Sequence, residues 1–504
     1  MSAELVDSVQ EALTVSEDDF AATVEREAER LKEELRDGTF DNPQAIVGLE
    51  YELYGVAEND ATLERMPRPL LELVNFEGEL GLHNAEFHTN PQPFNAFGLR
   101  AQQTEAQSRL EAAQTRARTE EIRLVSDGLW TVPPAGESAE TYLTDSVVRD
   151  GTRITTNMAD DTRYQAMANA DTYSPKRRIE TPHVELSADV VMPESLTTSI
   201  QPHYQVPHAP DLPERFRYAL RVAGPLLVLG VNSPFFPPEL YDTDDAYAVL
   251  DDQWMENRIP VFEGVFNPEE RRDKVRFPAD VTTVEQAIDR IATDPTLVPM
   301  RVESEGRFDD TFRHFEHKHG SFWRWVRPVF DGATRSAANA RIEFRALPAQ
   351  PTIRDSLAFV AAFAGLMESL PRREHPVLAL DWEVARENFD AAMRDGLDAD
   401  LRWITSNGED VTDTETILAE LLECARDGLS LRGLSASEAD EYLDLLRVRL
   451  TEGVTPAEWK RREVRRRVED GESLVSAVRG MQAAYVERQS ETLVDGTFHE
   501  WLND

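Results

Sequence analysis

"IVGLEYELYGV", residues 46–56, is the stretch on which the fold turns. Apolar residues surround Glu50 and Glu52, two positions apart. In a strand, residues two apart share a face, so both carboxylates point the same way. Like charges held side by side repel and are costly to dehydrate. Whatever that face covers has to compensate them.

Three more stretches repeat the oddity of charged or amide side chains alternating with apolar ones. "LGLHNAEFHTNPQPF" at 80–94 brings Glu86 with His88, and "TTSIQPHYQV" at 197–206 brings Gln201 with His203 and Gln205. "ARIEFRALPAQP" at 340–351 brings Arg341, Glu343 and Arg345. One such strand alone reads as the wet face of an antiparallel sheet. Four of them can converge on the concave side of one twisted sheet. Carboxylates crowded there beside arginines call for a cation. Oxygen donors suit Mg2+ or Mn2+, which commonly bridge to nucleotide phosphates. Arginines supply paired donors for phosphate or carboxylate groups. Together the parts describe metal-assisted phosphoryl transfer onto an acid, with electrostatic clamping as the main source of catalysis. Relief of crowding also predicts that Glu50→Gln or Glu343→Gln leaves metal-free stability unchanged or raised.

Outside these strands the pattern is mostly helical. Residues 1–40 read as an acidic amphipathic helix stopped by Gly38, and 98–122 as a long, solvated helix of strong helix formers. Gly, Pro and Asp between 124 and 196 predict short strands and loops. "LPERFRYALRVAGPLLVLGV" at 212–231 predicts a helix, and 237–320 reads as acidic and loop-rich. "GSFWRWVRPVF" at 320–330 predicts a strand, and beyond 352 apolar residues recur at helical spacing. Strands do not alternate with helices, so the class is α+β. No G-x-G-x-x-G follows a strand and no G-x-x-x-x-G-K-S/T occurs, which disfavours Rossmann and P-loop nucleotide sites. A G-x-S-x-G elbow is also missing. His314, His317 and His319 in "RHFEHKHG" read as a loop or helix surface, and His183 and His208 as loop residues.

The chain of 504 residues has a formal net charge of −41, and only five of its 53 basic residues are lysines. Acid excess with arginine in place of lysine suits the cytoplasm of an organism that keeps molar salt inside its cells, where self-repulsion is screened. No basic face is available for nucleic acid. Cys424 is the only cysteine, so neither an intrachain disulfide nor a thiolate zinc site is expected, and its helical context predicts a core position. The start "MSAELVDSVQEAL" lacks the pattern of a signal peptide, and no apolar run is long enough to span a bilayer. A soluble cytoplasmic protein is expected.

Six motifs in order carry a resemblance: "GLEYEL" at 48–53, "EFHTNP" at 86–91, "IQPHYQV" at 200–206, "VNSPFF" at 231–236, "WRWVRP" at 323–328 and "RIEFRALPAQPT" at 341–352. With the late helical stretches at 387–401 and 446–462, the chain resembles the glutamate–cysteine ligases of the carboxylate–amine ligase type. The resemblance implies a glutamine synthetase-like catalytic fold, a strongly curved antiparallel sheet forming a funnel with helices outside. It implies an amino-terminal helix at 1–40, a ligase domain at 41–375 and a packed helical region at 376–504. It further implies ATP as phosphoryl donor, glutamate as the acid, cysteine as the default amine acceptor, and a place in glutathione biosynthesis. By motif, Glu50, Glu52, Glu86, His203 and Glu343 would hold Mg2+ or Mn2+. Arg327 and Arg345 would steady the transferring phosphate or a substrate carboxylate, and Gln201, Asn232 and Arg341 would contact substrate or nucleotide. Two departures stand out. Pro348 occupies a position where an acid is expected, and 237–320 does not align. They leave open another amine acceptor, or a descendant that binds without catalysing.

Overall fold

Strand β1, Ile46–Ala57, shows the alternation its sequence demands. Val47, Leu49, Tyr51 and Leu53 are buried on one side, while Gly48, Glu50 and Glu52 remain partly open on the other. The computed structural model, which describes residues 3–170, 177–267, 274–304 and 306–502, builds an eight-stranded antiparallel sheet around it. The remaining strands of that sheet are β2 (Glu77–Gly78), β3 (Asn84–His88), β4 (Gln92–Pro93), β5 (Ile122–Val125), β6 (Ile200–Val206), β7 (Val326–Asp331) and β8 (Asn339–Phe344). Their order is β7-β8-β6-β1-β3-β2, with β4 and β5 pairing to the two ends of β1. The sheet is strongly curved, and the class is α+β as expected.

Helices cover the apolar side. Ile353–Arg372 lies across β6 and β1, Leu212–Gly230 against β7 and β8, and Ala96–Ala117 against β4 and β5. Ile353–Arg372 is buried almost all round because Thr414–Leu431 and Ala436–Glu452 pack on its far side. The last long helix, Leu474–Thr492, reaches back to the strand layer: Gln489 donates to the Ser126 carbonyl at 2.6 Å and Tyr485 to the same oxygen at 3.0 Å. One hydrophobic core runs from β1 through these late helices. Cys424 lies in it, as its context predicts.

Three expectations need correction. Residues 1–40 form two helices, Ala3–Ala12 and Glu17–Arg36, because the Ser16 hydroxyl accepts the Asp19 amide and starts a second helix there. The second packs on helices Val284–Thr293 and Arg313–His319 of the same chain. The polar helix at Ala96–Ala117 is not solvated all round: Leu99, Gln102, Ala106, Leu110 and Ala113 form a buried face too rich in alanine to stand out in the sequence. The 237–320 stretch contains Ala246–Asp252, Arg258–Phe266, Val284–Thr293 and Arg313–His319 as helices. Short helices of this length depend on tertiary packing rather than propensity, so their residues carry little local signal.

The lysines are placed in an unexpected way. Lys32, Lys274, Lys318 and Lys460, every described lysine, are buried. Lys460 donates to Asp127 and to the Asn232 carbonyl, and Lys274 pairs with Asp294. No helix among the described residues is long and apolar enough to cross a membrane.

Candidate active site

Register assembles the polar residues in rows. Arg327 on β7 faces Glu343 on β8, which faces His203 on β6. In the next row Glu50 on β1 lies between Gln201 on β6 and His88 on β3, and in the one after it Glu52 faces Glu86. Successive rows are two residues apart along each strand, so all of them project to the concave side. Three cavities open there, of about 220, 460 and 270 Å³, and Glu50 borders all three. The smallest is a chamber lined by Glu52, Glu86, Gln201, Arg327 and Arg345. Arg341 borders the other two.

The carboxylates divide into two electrostatic groups. Glu343 accepts from Arg327 Nε at 2.9 Å and from Arg345 Nη1 at 2.6 Å. Burial works against its ionisation, but these arginines and His203 outweigh it and hold the carboxyl well below the usual range. Burial likewise opposes ionisation of Glu50, and nearby His203 again wins, so Glu50 stays low. On the other side of β1 the balance reverses. Burial, with Glu79 next in weight, pushes Glu52 up to about 7 even though it accepts from Ser199 and from Gln201 Nε2. Burial, then Glu79 and Glu50, raises Glu86 well above the usual range. The relief of crowding expected for Glu50 and Glu343 therefore belongs to Glu52 and Glu86 instead.

Of this second group Glu86, together with Glu50, fits a divalent cation. Ligand atoms of Glu50, Glu86 and His88 lie within 4.8 Å of one another, as do those of Glu50, His203 and Glu343. Partly protonated carboxyls with no arginine of their own are the donors that a hard cation would ionise and satisfy. His203 fits less directly. Its Nδ1 faces Arg341 Nε at 3.2 Å, which takes up one of the two ring nitrogens a cation could use. Nε2 lies 2.9 Å from Glu50 but at an angle that makes no hydrogen bond.

Asn232 is not part of this face. It is fully buried beneath the strands, where its Nδ2 donates to the Ala349 carbonyl at 2.7 Å and to Tyr485 at 3.1 Å, and it borders none of the three cavities. The polar contact to a ligand expected of it is replaced by a structural one. Pro348 bridges to Ser199 and adds no acid, but Glu79 and Glu194 bring carboxylates to the chamber from elsewhere. Neither was visible in the sequence: Glu79 follows a two-residue strand, and Glu194 sits in the turn Met192–Leu196, where no periodicity marks a face. Arg258 was also missed. It lies under the chamber in Arg258–Phe266, and its Nη2 donates to the carbonyls of Arg345 and Ala346 at 3.1 and 2.7 Å.

A profile of glutamate-cysteine ligase family 2 (GCS2) matches residues 46–491. The chain belongs to that family. It is a carboxylate–amine ligase, and the family acts on small-molecule substrates. No curated protein matches this ligase at a significant level. Among solved structures, it is similar to the glutamate–cysteine ligase (gshA) of Francisella tularensis in complex with AMP, at 12% identity and TM-score 0.48 over 91% of this chain and 96% of that one. A bifunctional glutathione synthetase from Pasteurella multocida matches at 13% identity and TM-score 0.47, over 92% and 55%. The ligase PafA, in complex with the prokaryotic ubiquitin-like protein Pup, matches at 12% and 0.40, over 85% and 69%.

Proposed function

We propose that the ligase uses ATP to convert the γ-carboxylate of glutamate into an acyl phosphate, which an amine then attacks to give an amide. Cysteine is the default acceptor. The observation that carries this reading is the split charge of the concave face, with arginine-clamped Glu343 on one side of Glu50 and uncompensated acids on the other. Phosphoryl transfer between two anions needs both halves: fixed cationic groups at the transferring phosphate and a cation among the acids.

Glu50, Glu52 and Glu86, with Glu343 and His203, would hold Mg2+ or Mn2+, which when bound neutralises phosphate charge and orients it. Arg345 and Arg327, held by Glu343, present guanidinium groups to the chamber and steady negative charge on the transferring phosphate or on a substrate carboxylate. Gln201 braces Arg345 through its Oε1 and Glu52 through its Nε2. Arg341, beside Asp331 and His203 at the wider cavities, suits the nucleotide end.

A second reading keeps the chemistry and changes the acceptor. It is favoured by Glu79 and Glu194, which bring acids to the chamber from outside the matched motifs, while Pro348 brings none. Purified protein given ATP, Mg2+ and glutamate tests both readings. Phosphate release that requires cysteine supports the first, release that requires another amine supports the second, and no release with any amine overturns both. The net charge and the absence of lysine from the described surface support operation in a salt-rich cytoplasm.

A further inference from the structure

Glu194 is held for a purpose that packing does not explain. The carbonyl of its own peptide accepts from the Thr197 amide and from Thr197 Oγ1, each at 2.9 Å, which fixes the turn just before β6. Its side chain then lines the chamber. Among the described residues no arginine or lysine pairs with that carboxylate and no donor hydrogen-bonds to it, unlike Glu52 in the same chamber and Glu343 at the neighbouring cavity. Burial, then Glu79 and Glu52, raises its proton affinity well above that of an ordinary glutamate. The same chamber is lined by the apolar side chains of Leu80, Phe262, Phe266 and Trp323, with Arg345 also on its wall.

We propose that Glu194 is the base that takes a proton from the amine acceptor. The assignment rests on the ligase reading above. A primary amine arrives mainly as its ammonium ion, whose nitrogen has no lone pair to offer. An ammonium group is attracted to an acidic chamber, and a carboxylate without a partner of its own can accept its proton. As the freed amine attacks the acyl carbon, the new C–N bond forms and the C–O bond to phosphate breaks, its electron pair leaving with the phosphate. Of the two protons the nitrogen gives up, one goes to Glu194 and the other to the departing phosphate, so charge and atoms balance. The apolar wall suits an acceptor whose amine is borne on a short, weakly polar body.

Hydroxylamine provides the test, because at neutral pH it is unprotonated and needs no base. Phosphate release from ATP, Mg2+ and glutamate is measured for wild type, Glu194→Gln and Glu194→Asp, with hydroxylamine, L-cysteine, each other proteinogenic amino acid, or ammonium as nucleophile. The expected result is a loss of about 100-fold or more for Glu194→Gln with the best ammonium-form acceptor, the scale of general-base catalysis. Its hydroxamate formation should stay within about threefold of wild type, and Glu194→Asp should recover part of the lost rate. Equal losses with both nucleophiles would make Glu194 a structural or metal-holding residue and overturn the proposal. No loss with either also overturns it, as does a wild type that makes hydroxamate but uses no ammonium-form acceptor. A wild type that makes no hydroxamate at all removes the ligase reading itself.

Discussion

Arg258 donates to the carbonyl oxygen of Arg345, so a guanidinium buried beneath the chamber floor fixes the backbone of the arginine that grips Glu343. Arg258 also lies 3.6 Å from Glu256, which is fully buried and accepts from the Asn232 amide and the Ser233 hydroxyl. Replacing Arg258 with Met should therefore destabilise the fold by about 3–5 kcal/mol, the usual cost of breaking one side of a buried pair. Thermal denaturation gives the stability, and phosphate release per folded molecule should fall as well. A variant that keeps full turnover would mean that Arg345 needs no such support.

Neutralising acids on the two sides of Glu50 should change stability in opposite directions. Glu343 is ionised and paired in the folded protein, so Glu343→Gln should lower the melting temperature without metal. Glu52 and Glu86 are held partly protonated against their neighbours, so Glu52→Gln and Glu86→Gln should leave it unchanged or raise it. All three should reduce phosphate release. Melting curves in chelator separate these signs.

Glu52 also predicts a pH dependence. Its folded-state value of about 7 exceeds the ordinary 4.5. Between those values the folded chain holds a proton that the unfolded chain releases, so the stability this proton provides is present below about 4.5 and lost as pH rises through 7. Wild type minus Glu52→Gln should show that decline when the two are melted side by side without metal. Saturating Mg2+ should flatten it, because a bound cation keeps Glu52 ionised throughout. A difference independent of pH in both conditions would contradict this account of Glu52.

Lys460 ties the late helices to the strand layer. Its Nζ donates to Asp127 and lies 4.5 Å from the centre of the Tyr485 ring, all within the core. Lys460→Met leaves Asp127 buried without its cation and should cost about 3–5 kcal/mol. Lys460→Met with Asp127→Asn should recover much of that loss. Chemical denaturation of the single and double variants measures the coupling.

Salt should stabilise the whole molecule. With a net charge of −41, raising KCl from 0.1 to 2 M shortens the screening length from about 10 Å to below about 3 Å and removes most surface repulsion. The melting temperature should climb across that range. A flat or falling curve would assign the acidity to another cause.

The concave face was legible because strand alternation is a hard geometric rule. From Glu50 and Glu52 alone, period two fixes which way the acids point, and β1 obeys it residue by residue. Glu86, His203, Glu343 and Arg345 followed for the same reason. Asn232 was misjudged because its motif ends a helix and enters a buried turn, where no periodicity says whether a side chain faces ligand or core. Glu194 and Arg258 escaped for a related reason: one lies in an irregular turn and the other in a nine-residue helix held by its surroundings. Which acids are neutralised could not be read either, since that depends on distances between strands far apart in the chain.

The interior placement of Lys32, Lys274, Lys318 and Lys460 has a practical outcome for anyone handling this enzyme. Reagents that label, cross-link or acylate ε-amines find no exposed target among the described residues, while carboxylates are abundant. Immobilisation and cross-linking mass spectrometry on the native enzyme should therefore be designed around carbodiimide coupling, and acetylation of its surface lysines is closed off as a means of control over the described part of the chain.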